Sequence, residues 1–556
     1  MEHDMDEYFD LGTHSFPITT SSPMAQVWFD RGLIWMYGFN HREAVTCFEH
    51  AVAEDPDCPM AYWGIAMAAG PNYNKQWERF DERELHAAFR RTFDEAQTAL
   101  SSRGRASDKE EAIIECLRVR YPAQTPVEDF QKLYDDYADA MRAVYQQFPE
   151  DLDVVALFAD ALMCRTPWLL WDLETGAVNP ESSTLEAAQV LERALDTPEG
   201  QVHPGVVHMY IHLMEMSPHP EKALKAGDWL RGLVPDAGHL EHMPTHIDVL
   251  CGDYQNVVSS NHDAIVADRK YIAIHGTENY YTLYRVHNYH FKIYGAMFLG
   301  QYQVAMDTVD EMESTIPEAL LRWESPPMAD WLEPFLAIRW HVMVRFGRWQ
   351  EIIEAPAPKD QELYCVTAAT AHYAKTIAYA ATGHILEAQE QKRLFQEMVG
   401  WVPDTRYLHN NRYLDILRIA DAMIDGELEY RKGNFDSAFH YLGRAVAMED
   451  GLEYDEPWSW MQPTRHALGA LLLEQGRVAE AAEVYRQDLG FDPSVPRAYW
   501  HPDNVWALHG YHECLTKLGR TDEADIIRQR LDLAMARTDL PVAASCACRT
   551  GAVAAD

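Results

Sequence analysis

The stretch "VWFDRGLIWMYGFNHREAVTCFEHAVAEDP" (residues 27–56) decides the fold. Its apolar residues recur every three or four positions on both sides of "GFN". That is the pattern of two amphipathic helices joined by a tight turn. The turn returns as "GDYQNVV" (252–258), "GQYQVAM" (300–306), "GRWQEII" (347–353), "GHILEAQ" (383–389), "GNFDSAF" (433–439), "GRVAEAA" (476–482) and "GRTDEAD" (519–525). "PHPEKAL" (218–224) is a form without glycine, and Pro56, Pro235 and Pro493 close units. Strand signals are scarce. A repeated helix-turn-helix unit predicts an all-α solenoid, because each unit packs only on its neighbours.

The unit resembles the tetratricopeptide (TPR) repeat. In the first copy Trp28, Gly32, Ala44, Phe48, Ala51 and Pro56 occupy its signature places. Residues 462–493 match through Gly469, Ala481, Tyr485 and Pro493. The resemblance covers roughly residues 25–65 and 150–535 and implies a TPR-like helix-turn-helix solenoid curving around a groove. The expected layout is an N-terminal extension over 1–24, a single solenoid over 25–535, and a flexible tail over 536–556 carrying Cys546 and Cys548. Within the solenoid, 66–150 reads as irregular helix, and 165–184 as a Pro/Asn/Ser-rich insertion loop with Trp168 and Trp171.

Composition narrows the partners. The 556 residues carry 47 basic and 87 acidic side chains, a formal charge of −40, and are 47% hydrophobic. Nucleic acid and anionic membrane both need positive surface, so neither is expected as a partner. No apolar run approaches the length of a membrane span. The start, "MEHDMDEYFDLGTHSFPITT", lacks the basic and apolar regions of a secretory signal. Nine cysteines, mostly scattered singly, do not form a disulfide framework. A reducing cytoplasmic location is the expectation.

In the TPR frame the groove is lined by the second, fifth and ninth residues of each first helix. Setting the frame by the turn residue puts Gly205, His208 and His212 in these slots, then His239, His242 and His246, then His287, His290 and Tyr294. His341 and His466 follow in later units, and the last unit places Trp506, His509 and Glu513. Histidine fills far more slots than its 25 places in 556 residues supply. A single groove histidine reads as a stacking or peptide-binding residue. Seven packed together cannot all take protons, and a metal ion uses their neutral form.

The expected site is therefore a transition-metal centre on His208, His212, His239, His242, His246, His287 and His290. Glu215 would be a ligand or base, with Tyr294 beside it as a second catalytic candidate. Copper or iron is favoured by nitrogen ligation, and zinc also fits. His341, His466, His509, Trp506 and Glu513 are additional groove candidates. No HExxH, P-loop or GxSxG motif competes with this reading. His41 reads as a structural cap. Asn72 and Asn74 read as loop residues, and Tyr210, Tyr280, Tyr281 and Tyr284 as core unless they touch substrate.

The strings "YGFNHREA", "WGIAMAAGPNYN", "HPGVVHMYIHLMEMSPHPEKAL", "GHLEHMPTHI", "HNYHF" and "ASCAC" resemble a group of TPR-containing proteins of bacteria and fungi. That resemblance implies the fold and marks the same histidines; it implies no reaction. Three functions are expected to compete. The first is a metalloenzyme, oxidative or hydrolytic, acting on a small organic substrate in the groove. The second is a non-catalytic scaffold that clamps a peptide or protein partner. The third is a metal store or chaperone using the Cys546/Cys548 tail.

Overall fold

A computed structural model describes residues 8–550. Residues 1–7 and 551–556, parts of the expected extension and tail, lie outside the described residues. The architecture is all-α, built from antiparallel helix pairs. One two-stranded antiparallel hairpin, Tyr407–Leu408 against Asn411–Arg412, is the exception among the described residues. No helix among them is long and apolar enough to cross a membrane.

The chain divides into two compact units. The first comprises Met1–Ile247 with Asp263–Gly276, the second Asp248–His262 with Thr277–Asp556. One core stops growing efficiently beyond about 250–300 residues, and a chain of this length divides.

The first unit opens on the pair Pro23–Tyr37 and His41–Glu54, covered by Pro59–Ala68. The phenyl ring of Phe48 is fully buried between two helices that approach it at glycines. A Cβ on Gly32 would lie 2.7 Å from that ring, and one on Gly64 2.5 Å. The Asn40 side chain caps the second helix through the Glu43 N–H. The stretch 66–150 contains the helices Glu82–Ser102, Asp108–Glu115 and Phe130–Gln147. The loop 165–184 is tied by a Trp171–Val178 bridge and by Trp171 Nε1–H donating to the Leu213 carbonyl (2.7 Å).

The second unit repeats the device. Tyr485, on Val478–Asp488, lies between Gly469 of Thr464–Glu474 and Gly510 of Val505–Lys517. Added Cβ atoms would meet its ring at 2.5 and 2.3 Å. The turns at Gly252 and Gly476 have φ of 82° and 74°, a left-handed conformation that glycine adopts without strain. The first hairpin differs: there the left-handed residue is Phe39, at φ 56°.

The expected flexible tail differs too. Val542, Ala544, Ser545 and Cys548 are buried. Arg345 donates to the Ser545 carbonyl and Arg431 to the Cys548 carbonyl, and Arg549 pairs with Glu513 at 2.6 Å. These donors satisfy backbone carbonyls that a free tail would turn to water. Cys546 and Cys548 are joined by a disulfide.

Gly510→Ala should lower the thermal midpoint through a loss of about 2 kcal/mol, since its methyl meets a ring that cannot move aside. Gly443→Ala, in the helix Phe435–Asp450 with nothing within 4 Å of the new Cβ, should instead hold or raise it. Equal melting shifts for the two would refute this packing account.

Candidate metal centre

The helix Pro204–Glu215 begins with proline at its first turn and His203 as its cap, the ring Nδ1 accepting the Val206 N–H at 3.2 Å. Helical spacing then puts His208, His212 and Glu215 on one face. Gly238–His242 and the helix starting at Pro244 present His239, His242 and His246 in the same way. The structure brings these five histidines and Glu215 together in the first unit. All are buried. Ring centroids of His208 and His212 are 4.7 Å apart, those of His208 and His239 5.1 Å, and those of His242 and His246 4.8 Å.

Hydrogen bonds decide which nitrogen of each ring carries the proton. His208 Nδ1 lies 2.7 Å from the Tyr37 carbonyl, which only accepts, so Nδ1 is protonated. His212 Nδ1 donates to Glu215 Oε1 (2.9 Å) and His246 Nδ1 to Glu215 Oε2 (2.7 Å). The Nε2 atoms of all three rings are therefore lone-pair nitrogens. His246 Nε2 accepts from His242 Nε2 at 2.8 Å. His208 Nε2 and His212 Nε2 are buried with no hydrogen-bond partner among the described residues. His208, His212 and His239 form one group whose candidate ligand atoms all lie within 4.8 Å of one another, and His212, Glu215 and His246 form a second. A carboxylate or carbonyl on Nδ1 with a bare Nε2 is the arrangement of a metal-binding imidazole and its support.

Burial keeps the rings neutral. It lowers His212 to about 3, and His246 to about 3 against the opposing pull of Glu215. Burial, then the neighbouring imidazoles, hold His208 and His239 well below the ordinary value. The walls are aromatic. Phe39 packs on His208, His239 and His212 at centroid distances of 4.7, 5.3 and 5.7 Å. Tyr73 lies 5.0 Å and Trp168 5.9 Å from His212. A cavity of about 40 Å³ reaches His208 past Tyr37, Phe39 and Asn72.

His287 and His290 belong to the second unit. His290 there lies 3.2 Å from His409 Nε2 through Nδ1 and 2.8 Å from Met461 Sδ through Nε2. A proton chain from His409 to His290 to the thioether accounts for those contacts. Tyr294, also in the second unit, is buried between Phe298 and Trp458. Glu215 has both oxygens engaged by imidazole N–H groups, which fits a positioning carboxylate better than a base.

His341 packs edge-on against Trp460, and Trp506 Nε1–H donates to the Met297 carbonyl at 2.7 Å. His509 belongs to no candidate metal group among the described residues, and Glu513 holds Arg549. His41 bonds the Ala68 carbonyl at 2.9 Å, and Asn72 bonds His41 at 3.3 Å. His466 Nδ1 accepts from Arg345 (3.0 Å), so its Nε2–H donates to Asp488 Oδ2 (2.9 Å) and the ring is neutral. Asp488 also accepts from His501 at 2.9 Å.

Sequence reasoning missed Phe39, Tyr73 and Trp168. For Phe39 a signal existed, since "GFN" has an aromatic where the sister turns have Asp, Gln, Arg, His or Asn. Tyr73 and Trp168 come from loops, which carry no periodicity. A third His/Asp group, His14, Asp153 and His203, was also missed. Asp153 Oδ1 accepts from His14 (2.9 Å), His203 (3.1 Å) and Tyr37 (2.8 Å), and these bonds explain the group without a metal.

Comparison with known proteins adds one family match. Residues 464–496 match the Tetratricopeptide repeat family model. No curated protein matches the chain. Solved structures similar to it include Ypp1, at 8% identity over 92% of this chain and 81% of the other, with a TM-score of 0.45. Yeast Tom70 is similar at 11% identity over 92% and 98%, with a TM-score of 0.28. Cut9, in the APC/C hetero-tetramer Cut9–Hcn1, is similar at 12% identity over 95% and 96%, with a TM-score of 0.28.

Two measurements check this geometry. Glu215→Ala leaves two buried N–H donors without their acceptor, and should cost about 3 kcal/mol in the metal-free protein by thermal or urea unfolding. No change in midpoint would mean the carboxylate is not engaged by both rings. The second is pH dependence. Burial lowers His466 to about 4, outweighing Asp488, so the unfolded chain takes up a proton that the folded chain refuses below about 6.5. Burial opposes the Asp488 carboxylate, but His466 and His501 hold it well below its ordinary range, so its contribution is present above about 3.9 and lost below. Stability should fall as pH drops from about 6.5 to 4 and further below. His466→Gln should flatten the upper part of that slope, and an unchanged slope would reject the assignment.

Proposed function

We propose that this chain is a helical-repeat scaffold that holds a transition metal ion among the buried histidines of its first unit. One observation carries the reading: His208 Nε2 and His212 Nε2 are lone-pair nitrogens, buried without a hydrogen-bond partner among the described residues. Burying an unpaired acceptor costs about 1–3 kcal/mol, and ligation removes that cost. Neutral imidazoles with one supporting carboxylate suit copper, iron or zinc. His208, His212 and His239 would hold the ion, Glu215 would orient His212 and His246, and Phe39, Tyr73 and Trp168 would keep water out. When bound, the ion supplies a fixed positive charge that locks the two histidine-bearing segments together.

The scaffold half of the proposal rests on the match to the Tetratricopeptide repeat at 464–496 and on the second unit's way of seating its own residues 542–549, through arginines that donate to backbone carbonyls. A peptide or protein partner is the occupant this kind of seat suits. Catalysis on an organic substrate receives less support. The cavity at His208 is small, about 40 Å³.

The test is elemental analysis of the full chain after growth or dialysis with copper, iron or zinc. The expected outcome is a stoichiometric content of one of them, reduced at least tenfold in affinity by joint His208→Ala and His212→Ala replacement, and about 10–100-fold by Glu215→Gln. Protein that stays free of stoichiometric metal under all three conditions overturns the metal half. The scaffold half stands or falls separately, on whether a defined partner peptide binds the chelator-treated chain.

A further inference from the structure

We propose that Cys546 and Cys548 form a thiol–disulfide exchange site, seated in the second unit, that accepts two electrons from a dithiol. The argument starts from spacing. The bridge joins residues two apart, so it encloses almost no chain and restrains the unfolded state little. A staple placed to stabilise the fold would close a long loop.

The segment's seat does not depend on the bridge. Ser545 Oγ donates to the His466 carbonyl at 3.0 Å, so the Tyr485 hydroxyl donates to Ser545 Oγ. Arg345 holds the Ser545 carbonyl, Arg431 the Cys548 carbonyl, and Arg549 pairs with Glu513 at 2.6 and 3.1 Å. Opening the bridge leaves every one of these bonds intact, so both sulfurs keep their places in either redox state.

The two sulfurs are also unequal. Cys546 is partly exposed and Cys548 is buried. The Cys548 backbone N–H donates to Cys546 Sγ at 3.2 Å, a contact that strengthens when that sulfur becomes a thiolate. Both cysteines line a cavity of about 30 Å³ with Arg345, Trp349 and His466. The seven remaining cysteines form no disulfide among the described residues, and all but Cys251 are buried. Burial pushes the Cys47, Cys116 and Cys514 thiols up to about 12. They are poor nucleophiles at neutral pH, and the bridge is set apart from them.

The exchange is balanced as follows. A thiolate of the incoming dithiol attacks Cys546 Sγ and forms a mixed disulfide. The Cys546–Cys548 bond breaks, its electron pair goes to Cys548 Sγ, and that sulfur takes a proton from solvent. The second thiol of the reductant then attacks its own bridged sulfur and releases Cys546 as the thiolate that the Cys548 N–H holds. The dithiol leaves as a disulfide, and the protein keeps two thiols.

The experiment equilibrates the native full chain in mixtures of reduced and oxidised dithiothreitol, traps thiols with a maleimide, and reads labelled sites by mass spectrometry. The expected result is one two-electron transition adding two labels, on Cys546 and Cys548 alone, reversed by oxidised dithiothreitol, with the melting temperature unchanged between the two forms. Cys548→Ser should retain a mixed disulfide with glutathione at Cys546, and Cys546→Ser should not. The proposal is overturned if both thiols stay open in oxidised dithiothreitol. It is equally overturned if the bridge resists reduction until urea unfolds the chain, or if opening it lowers the melting temperature markedly.

Discussion

The centre of the first unit depends on where protons sit in a few buried imidazoles. Glu215 accepts from His212 and His246 on its two oxygens, and the Tyr37 carbonyl accepts from His208. Each of these bonds places the hydrogen on Nδ1 and leaves Nε2 as a lone-pair nitrogen, which in His246 accepts from His242. Burial makes the arrangement durable, since a charged imidazole there would lack water and face other imidazoles. The carboxylate thus sets a common orientation for rings on two separate helical segments, with Phe39, Tyr73 and Trp168 packed around them.

The same economy of contact appears in the repeats. Phe48 and Tyr485 each occupy the space between a pair of glycines on neighbouring helices, so ring and backbone meet directly. That packing demands a small residue at fixed spacing from an aromatic. This is why the fold class was legible in "VWFDRGLIWMYGFNHREAVTCFEHAVAEDP" before any coordinates. The division into two units was not legible, because it depends on which helices share a core and not on the pattern within any one of them.

The site was legible to the same extent as its periodicity. His208, His212, His239, His242 and His246 recur at helical spacing, and a frame set by the turns places them on one face. His287 and His290 obey the same spacing, yet His290 is engaged by His409 and Met461. His409 comes from the tip of the short hairpin at φ 52°, a place that helical periodicity does not reach. The tail was misread for a related reason. Small residues such as those of "AASCAC" look mobile in sequence, and only the arginines far along the chain reveal what they are seated on.

Phe39 combines a turn conformation with a place in the wall around the histidines. In the sister turns at Gly252 and Gly476 a glycine takes the left-handed conformation, whereas the first hairpin asks an aromatic residue to do so, at about 1–3 kcal/mol of strain. Repeats of this kind are modular, and one hairpin can be duplicated or exchanged for another with the array preserved. Such a shuffle at this hairpin would keep the architecture and erase the histidine chamber. The left-handed residue of the first hairpin thus also packs on His208, His239 and His212, which a glycine there could not do.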